Sequence, residues 1–138
     1  MIIVLDTNVI ISALLSPAWT PAKIIARWEA KEFDVAISMP LLEELVLSYE
    51  RIRKYFREPQ EKIGLLLKCL KRVSILVAPE FRLNEIENDA DDNRVLECAV
   101  AANASFIISG DDHLLSLGKY HGIVILPPVG FLALLKLR

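Results

Sequence analysis

Hydrophobic and polar positions along this chain fall into short apolar runs separated by longer stretches of helical period. Residues 2–5, Ile-Ile-Val-Leu, form a β-branched run that suits a strand buried on both faces, and Asp6-Thr7-Asn8 ends it. Thr20-Pro21 supplies an N-cap with Pro at the first helical position, and Ile24, Ile25 and Trp28 make the apolar stripe of a helix reaching about residue 30. A second strand is predicted over 33–37. Ser38 then caps a helix with Leu41, Leu42, Leu45 and Tyr49 on its buried side. Residues 50–72 keep helical period, with Pro59 dividing them into two segments.

A third strand over 73–77 leads into a polar connection, 78–91, containing Pro79, Asn84 and Asn88 and reading as the most loop-like part of the chain. A helix over 92–102 has Val95, Leu96, Ala99 and Val100 as its apolar face. Strands over 105–109 and 123–126 then alternate with helices over 111–117 and 129–136. Such alternation predicts right-handed crossovers and an α/β fold: three layers, α/β/α, around a central parallel sheet of about five strands. At 138 residues, one domain spanning 1–138 is expected, with no internal repeat or linker.

Composition adds little to this picture but excludes several classes. The chain is 54% hydrophobic and 25% charged, which argues against disorder. Its longest apolar stretches, such as 63–67 and 131–135, fall far short of the roughly 20 residues that cross a bilayer, and no basic leader precedes the first apolar run. No membrane association and a cytoplasmic location are therefore expected. Cys69 and Cys98 each lie in an apolar helical pattern without a CxxC or a nearby His, and read as reduced core residues. No glycine-rich phosphate loop or G-x-S-x-G elbow is present.

Four scattered acids change the picture. Asp6 ends the first strand, Asp111 follows the run 106–108 after Ser109-Gly110, and Glu44 and Asp92 fall in the opening turns of helices. Strand ends and helix starts share one edge of a parallel sheet, where four carboxylates repel one another unless a cation joins them. Each alone has an ordinary explanation as a turn former, helix cap or first-turn acid. Asp91, Asp112 and Glu43 compete with their neighbours. Asp92 is preferred to Asp91 because Val95 and Ala99 then lie three and seven residues on, along one helix face. Leu41, Leu42 and Leu45 flank Glu44, which puts it nearer the sheet than a fully solvated face would be. The net charge of −2 does not oppose a nucleic-acid partner, since removing the four candidates from the 18 acidic residues leaves 14 against 16 basic ones.

The segments Val4-Leu5-Asp6-Thr7-Asn8, Ile37 through Leu45, Asp91-Asp92-Asn93 through Ala99, and Ile107-Ile108-Ser109-Gly110-Asp111-Asp112-His113-Leu114-Leu115 resemble, in order, the successive motifs of PIN-domain nucleases. The resemblance covers essentially the whole chain and is nearest to the small prokaryotic toxin-component group, akin to VapC. It implies that Asp6, Glu44, Asp92 and Asp111 are catalytic and hold one or two Mg²⁺ or Mn²⁺ ions, with Thr7, Asn8 and Ser109 orienting carboxylates or a water. It also implies a ribonuclease, an antitoxin protein as partner and a homodimer. The alternatives are an RNA-processing or quality-control nuclease that is not a toxin, and a non-catalytic RNA-binding module. His113 reads as a structural hydrogen-bonding residue. The basic side chains of Arg51, Arg53, Lys54, Arg57, Lys62, Lys68, Lys71 and Arg72, set against Glu50, Glu58 and Glu61, are either a solvated surface or a phosphate-contacting arm.

Overall fold

The computed structural model describes residues 1–16, 18–57, 59–73, 75–86 and 89–137. Ser74 of the third predicted strand, Glu58 of the basic stretch and Asn88 of the polar connection lie outside them. The chain runs β1 (Ile2–Leu5), α1 (Thr7–Leu15), α2 (Thr20–Glu29), β2 (Asp34–Ser38), α3 (Met39–Ile52), a 3₁₀ turn (Arg53–Tyr55), α4 (Pro59–Lys71) and β3 (Ile75–Val77). It continues through α5 (Ala90–Ala101), β4 (Phe106–Ile108), α6 (Asp112–Leu117), β5 (Lys119–Tyr120), β6 (Ile123–Leu126) and α7 (Pro128–Lys136).

The sheet order is β3-β2-β1-β4-β6-β5. Five strands are parallel, as the alternation of elements predicts, and only the two-residue edge strand β5 runs antiparallel to β6. The chain moves outward from β1 through β2 to β3, then returns to the other side of β1 with β4. Right-handed crossovers in opposite directions put their helices on opposite faces of the sheet. The gap between β1 and β4 is therefore the switch point, where the loops leaving the two strand ends diverge and open a crevice.

The core is what the apolar runs predict: Ile3, Val4, Val35, Ala36, Ile107 and Ile108 are buried in adjacent strands, under Leu14, Ile24, Leu41, Leu45, Leu96 and Phe131 from the helices. Cys69 and Cys98 are free, buried thiols in this core, and burial pushes them up to about 11 and about 12. No single helix among the described residues is long and apolar enough to cross a membrane.

Helix α1, the two-residue edge strand β5 and the fastening of the connection 78–89 depart from the sequence reading. Helix α1 is absent from it, because Val9-Ile10-Ile11 is β-branched and the helix is buried on nearly every side, at Thr7, Val9, Ile10, Ile11, Ala13 and Leu14, so no polar face marks its period. The connection 78–89 carries no helix or strand among its described residues, as expected, yet it is fastened to α5. Buried Asn93 accepts from the Ile86 N–H (3.0 Å) and donates to the carbonyls of Ile86 (2.7 Å) and Asp89 (2.9 Å). Buried Glu97 accepts from the Leu83 N–H (2.7 Å) and pairs with Arg94 (2.7 Å), which donates to the Leu83 carbonyl (3.1 Å). Three polar side chains of one helix thus replace the ladder bonds that this backbone lacks.

Candidate metal centre

The switch point is built around Asp6. Its backbone N–H donates to the Ile108 carbonyl (2.9 Å), extending the β1–β4 ladder one residue past the strand and fixing the side chain at the crevice floor. The Asp6 carboxylate is almost wholly buried and accepts from the Ser109 hydroxyl (2.7 Å). The same Ser109 oxygen accepts from the Asp111 N–H (3.0 Å), so one buried serine sets the spacing between two acids. Asp111 caps the short α6, accepting from the N–H groups of His113 (2.8 Å) and Leu114 (3.3 Å).

From the other side, α3 brings in Glu44. Its cap is Ser38, whose hydroxyl accepts from the Leu41 N–H (3.3 Å), and Leu41, Leu45 and Tyr49 pin the helix to the core. Half-buried Glu44 accepts from the buried Thr7 hydroxyl (3.0 Å), whereas Glu43 is exposed. Asn8 is exposed and, with Ser12, Gly110 and Asp111, lines a cleft of about 290 Å³. A second cleft of about 580 Å³ is lined by Glu43, Glu44, Glu50, Arg51 and Asp91.

Helix α5 supplies Asp92. Its first turn is capped by Asp89, which accepts from the Asp92 N–H (3.1 Å), so one of the three aspartates at this helix entry is indeed a cap. Asp91 is exposed and Asp92 buried, with a side chain 8% exposed. Asp92 Oδ2 is buried without a hydrogen-bond partner.

The electrostatics tie these groups into one site. Burial raises Asp6 above the usual carboxylate range against the opposing pull of the Ser109 hydroxyl and the Asn8 and Thr7 amides, and the charge of Asp111 raises it further. Burial likewise raises Glu44, partly offset by the Thr7 hydroxyl and Arg51, while Asp91 and Asp6 add to the rise. Asp92 is pushed up to about 9, by burial first and then by the neighbouring carboxylates of Asp111 and Asp89. Glu44, Asp6, Asp111 and Asp92 therefore form a chain of mutually repelling carboxylates brought from four elements to one rim. Hard oxygen ligands, partly dry and with one lone oxygen aimed inward, fit a divalent cation.

Fold and rim together define a domain class, and comparison with known proteins agrees. The PIN-domain model matches residues 2–113, and the chain belongs to the PIN-domain family, whose nucleases use divalent metal ions. An uncharacterised protein of Methanocaldococcus jannaschii is 32% identical over 117 residues, which span 83% of this chain and 74% of that one. Among solved structures, VapBC2 from Rickettsia felis bound to a DNA fragment from its promoter superposes with a TM-score of 0.66 at 18% identity, covering 92% of this chain and 98% of the matched one. PAE2754 from Pyrobaculum aerophilum gives 0.64 at 14% identity, covering 99% and 90%. At these identities the two structures speak for the fold.

Sequence reasoning weighed Asp91 only as a competitor of Asp92 and gave no ligand-side role to Asp89 or His113. The structure places Asp91 beside Glu44, and Asp89 and His113 beside Asp92. Two spacings carry a signal for the latter pair: Asp89 and Asp92 are three apart at a helix entry, and Asp111 and His113 two apart at a strand end.

Proposed function

We propose that this protein is a Mg²⁺- or Mn²⁺-dependent endoribonuclease that hydrolyses phosphodiester bonds of unstructured RNA, with Asp6, Glu44, Asp92 and Asp111 as its metal ligands. The observation that carries the reading is the convergence of these four acids at the switch point, with Asp6, Glu44 and Asp92 all held above the usual carboxylate range. Such a rim is costly until a cation occupies it.

A bound divalent ion supplies Lewis-acid chemistry, activating water and offsetting charge that develops on the phosphodiester. The chain's own residues hold the arrangement. Ser109 keeps Asp6 and Asp111 at fixed spacing, Thr7 orients Glu44, and Asn8 projects into the cleft beside Asp111, where it can meet a phosphate or a water. Arg51, in the cleft with Glu44, is the basic side chain best placed to contact the RNA backbone.

We further propose a toxin role in a type II toxin–antitoxin pair, a cytoplasmic location, and a single domain over 1–138. The fold shared with VapBC2 supports an antitoxin partner, and so does unpartnered apolar surface on α3 and α4, where Val46, Leu47, Ile63 and Leu67 are exposed. A second apolar corner, with Trp19 and Val129 exposed beside Pro21 and Pro128, suits self-association into a homodimer.

The test is cleavage of an unstructured RNA by the purified protein in Mg²⁺ or Mn²⁺, abolished by EDTA. Asp6→Asn and Asp111→Asn should each lower the rate by more than about 100-fold, beyond what loss of an outer-shell partner costs. Cleavage that persists in EDTA, or variants as fast as the parent, would remove the metal-held mechanism.

A further inference from the structure

The four proposed ligands leave His113, and Asp89 beyond its capping bond, without a role, although both face the same rim. His113 Nδ1 lies 3.0 Å from Asp89 Oδ2, 3.8 Å from Asp92 Oδ2 and 3.9 Å from Asp111 Oδ1. One donor atom from each of Asp89, Asp92, Asp111 and His113 falls within 4.8 Å of all the others. Ligands on opposite sides of a small divalent ion, with bonds of about 2.1 Å, stand roughly 4.2 Å apart, so this set is one coordination sphere slightly expanded.

Proximity of acids alone would carry little weight. The independent observation is Asp92 Oδ2, which is buried, has no hydrogen-bond partner, and lies 3.8 Å from His113 Nδ1. Buried carboxylate oxygens in folded proteins are nearly always satisfied, and an exception calls for an ion or a proton at that place. The other ligands are held ready. Asp89 is fixed by its capping bond to Asp92 and by the Asn93 clamp on its carbonyl, and Asp111 by two backbone N–H groups. The His113 side chain is 65% exposed, so its ring can turn from Asp89 toward an ion without unpacking anything.

We propose that Asp89, Asp92, Asp111 and His113 form a mixed oxygen–nitrogen site that selects a first-row divalent transition ion over Mg²⁺. The selecting element is the imidazole. Mg²⁺ prefers an all-oxygen sphere and gives up its waters reluctantly, whereas later first-row ions gain from nitrogen donors. The assignment builds on the carboxylate-held cation of the proposed function and names the ion class for one flank of that site. Asp6 and Glu44 make up the other flank, which is all oxygen.

The test uses Co²⁺ and Mg²⁺ titrated separately into the full chain, its His113→Ala variant and its Asp89→Asn variant, with the proton NMR spectrum of the Co²⁺-loaded parent as a second readout. The expected result is paramagnetically shifted imidazole ring protons in the parent, and a loss of Co²⁺ affinity of about 10-fold or more in His113→Ala with Mg²⁺ affinity within about twofold. Asp89→Asn should weaken both ions. A Co²⁺-to-Mg²⁺ affinity ratio unmoved by His113→Ala, with no shifted ring protons, would overturn the mixed site and leave a surface hydrogen bond between Asp89 and His113. The nuclease reading would survive that outcome, because it is tested separately, by whether the parent cleaves RNA in Mg²⁺ or Mn²⁺. A parent that binds neither ion overturns both. The NMR readout needs no variant, so a poorly folding substitution leaves the proposal testable.

Discussion

Asp6 and Asp92 are equally deep in the same rim, yet the protein treats them differently. Asp6 sits on a strand end, where the sheet fixes its backbone and Ser109 satisfies its carboxylate. Asp92 sits on a helix entry, where its neighbours are other carboxylates and one oxygen has no partner. The protein thus satisfies one proposed ligand and leaves the other open. A finished carboxylate gives the site its position. An open one gives it affinity, because only a cation or a proton can complete it.

The largest effect that distinguishes the two is on stability in the absence of metal. Asp92 has its folded pKa raised from the ordinary 3.8 to about 9, so the folded chain holds a proton that the unfolded chain releases between those limits. Its contribution is fully present below about pH 4 and lost as pH rises toward 9. In EDTA, stability should therefore fall from pH 6 to pH 8, and Asp92→Asn should stabilise the protein at pH 8 by about 1–3 kcal/mol, the scale of an unsatisfied buried group. Asp6→Asn should bring a smaller gain, because hydrogen bonds from Ser109 and from the Asn8 and Thr7 amides offset part of the burial that raises Asp6. Urea unfolding at the two pH values measures both, and an Asp92→Asn variant no more stable than its parent at pH 8 would remove the distinction.

The same contrast explains what was legible in the sequence. Strand-end acids were readable because a β-branched run followed by Asp has one geometry: Asp6 and Ser109–Asp111 must leave the sheet at its carboxyl edge. The five parallel strands followed from the same runs, whereas the two-residue edge strand β5 carries no such run and was not read. Helix α1 was not readable, since a helix buried all round shows no periodicity. The flank formed by Asp89 and His113 showed only in two short spacings, because these residues are 24 apart and meet through the packing of α5 and the connection 78–89, which Asn93 and Glu97 hold together. That clamp consists of long-range polar bonds, which leave no periodic trace.

A smaller effect tests the register of α3. Mn²⁺ binding only the native state should raise the melting temperature, and at a hundredfold excess over Kd the stabilisation is about 2.7 kcal/mol. Glu44→Gln should shrink this rise, because Glu44 reaches the rim through Thr7, while Glu43→Gln should leave it whole, because Glu43 is exposed. Adjacent helical residues project about 100° apart, so one of the two is a ligand and the other is not. The reverse pattern would make Glu43 the ligand and the Thr7–Glu44 hydrogen bond purely structural.

The smallest effect concerns the basic stretch, where the same comparison of satisfied and open groups applies. Arg53 already pairs with Glu50 at 3.2 Å, both side chains more than half exposed, and Lys54 lies 5.4 Å from the Tyr55 ring centre. Such exposed pairings are worth little and can be exchanged for phosphates. Arg51 donates to Ser48 (3.1 Å) and lines the cleft with Glu44, one of the proposed metal ligands. If RNA runs from that cleft along the turn after α3, charge reversal at Arg53, Lys54 and Arg57 removes counterion release without touching the carboxylates. The slope of log affinity against log salt should then flatten by about 1 for each phosphate that the protein no longer neutralises, with the metal-induced rise in melting temperature unchanged. A slope that does not move makes this stretch a solvated surface and leaves Arg51 as the one basic residue proposed to contact RNA.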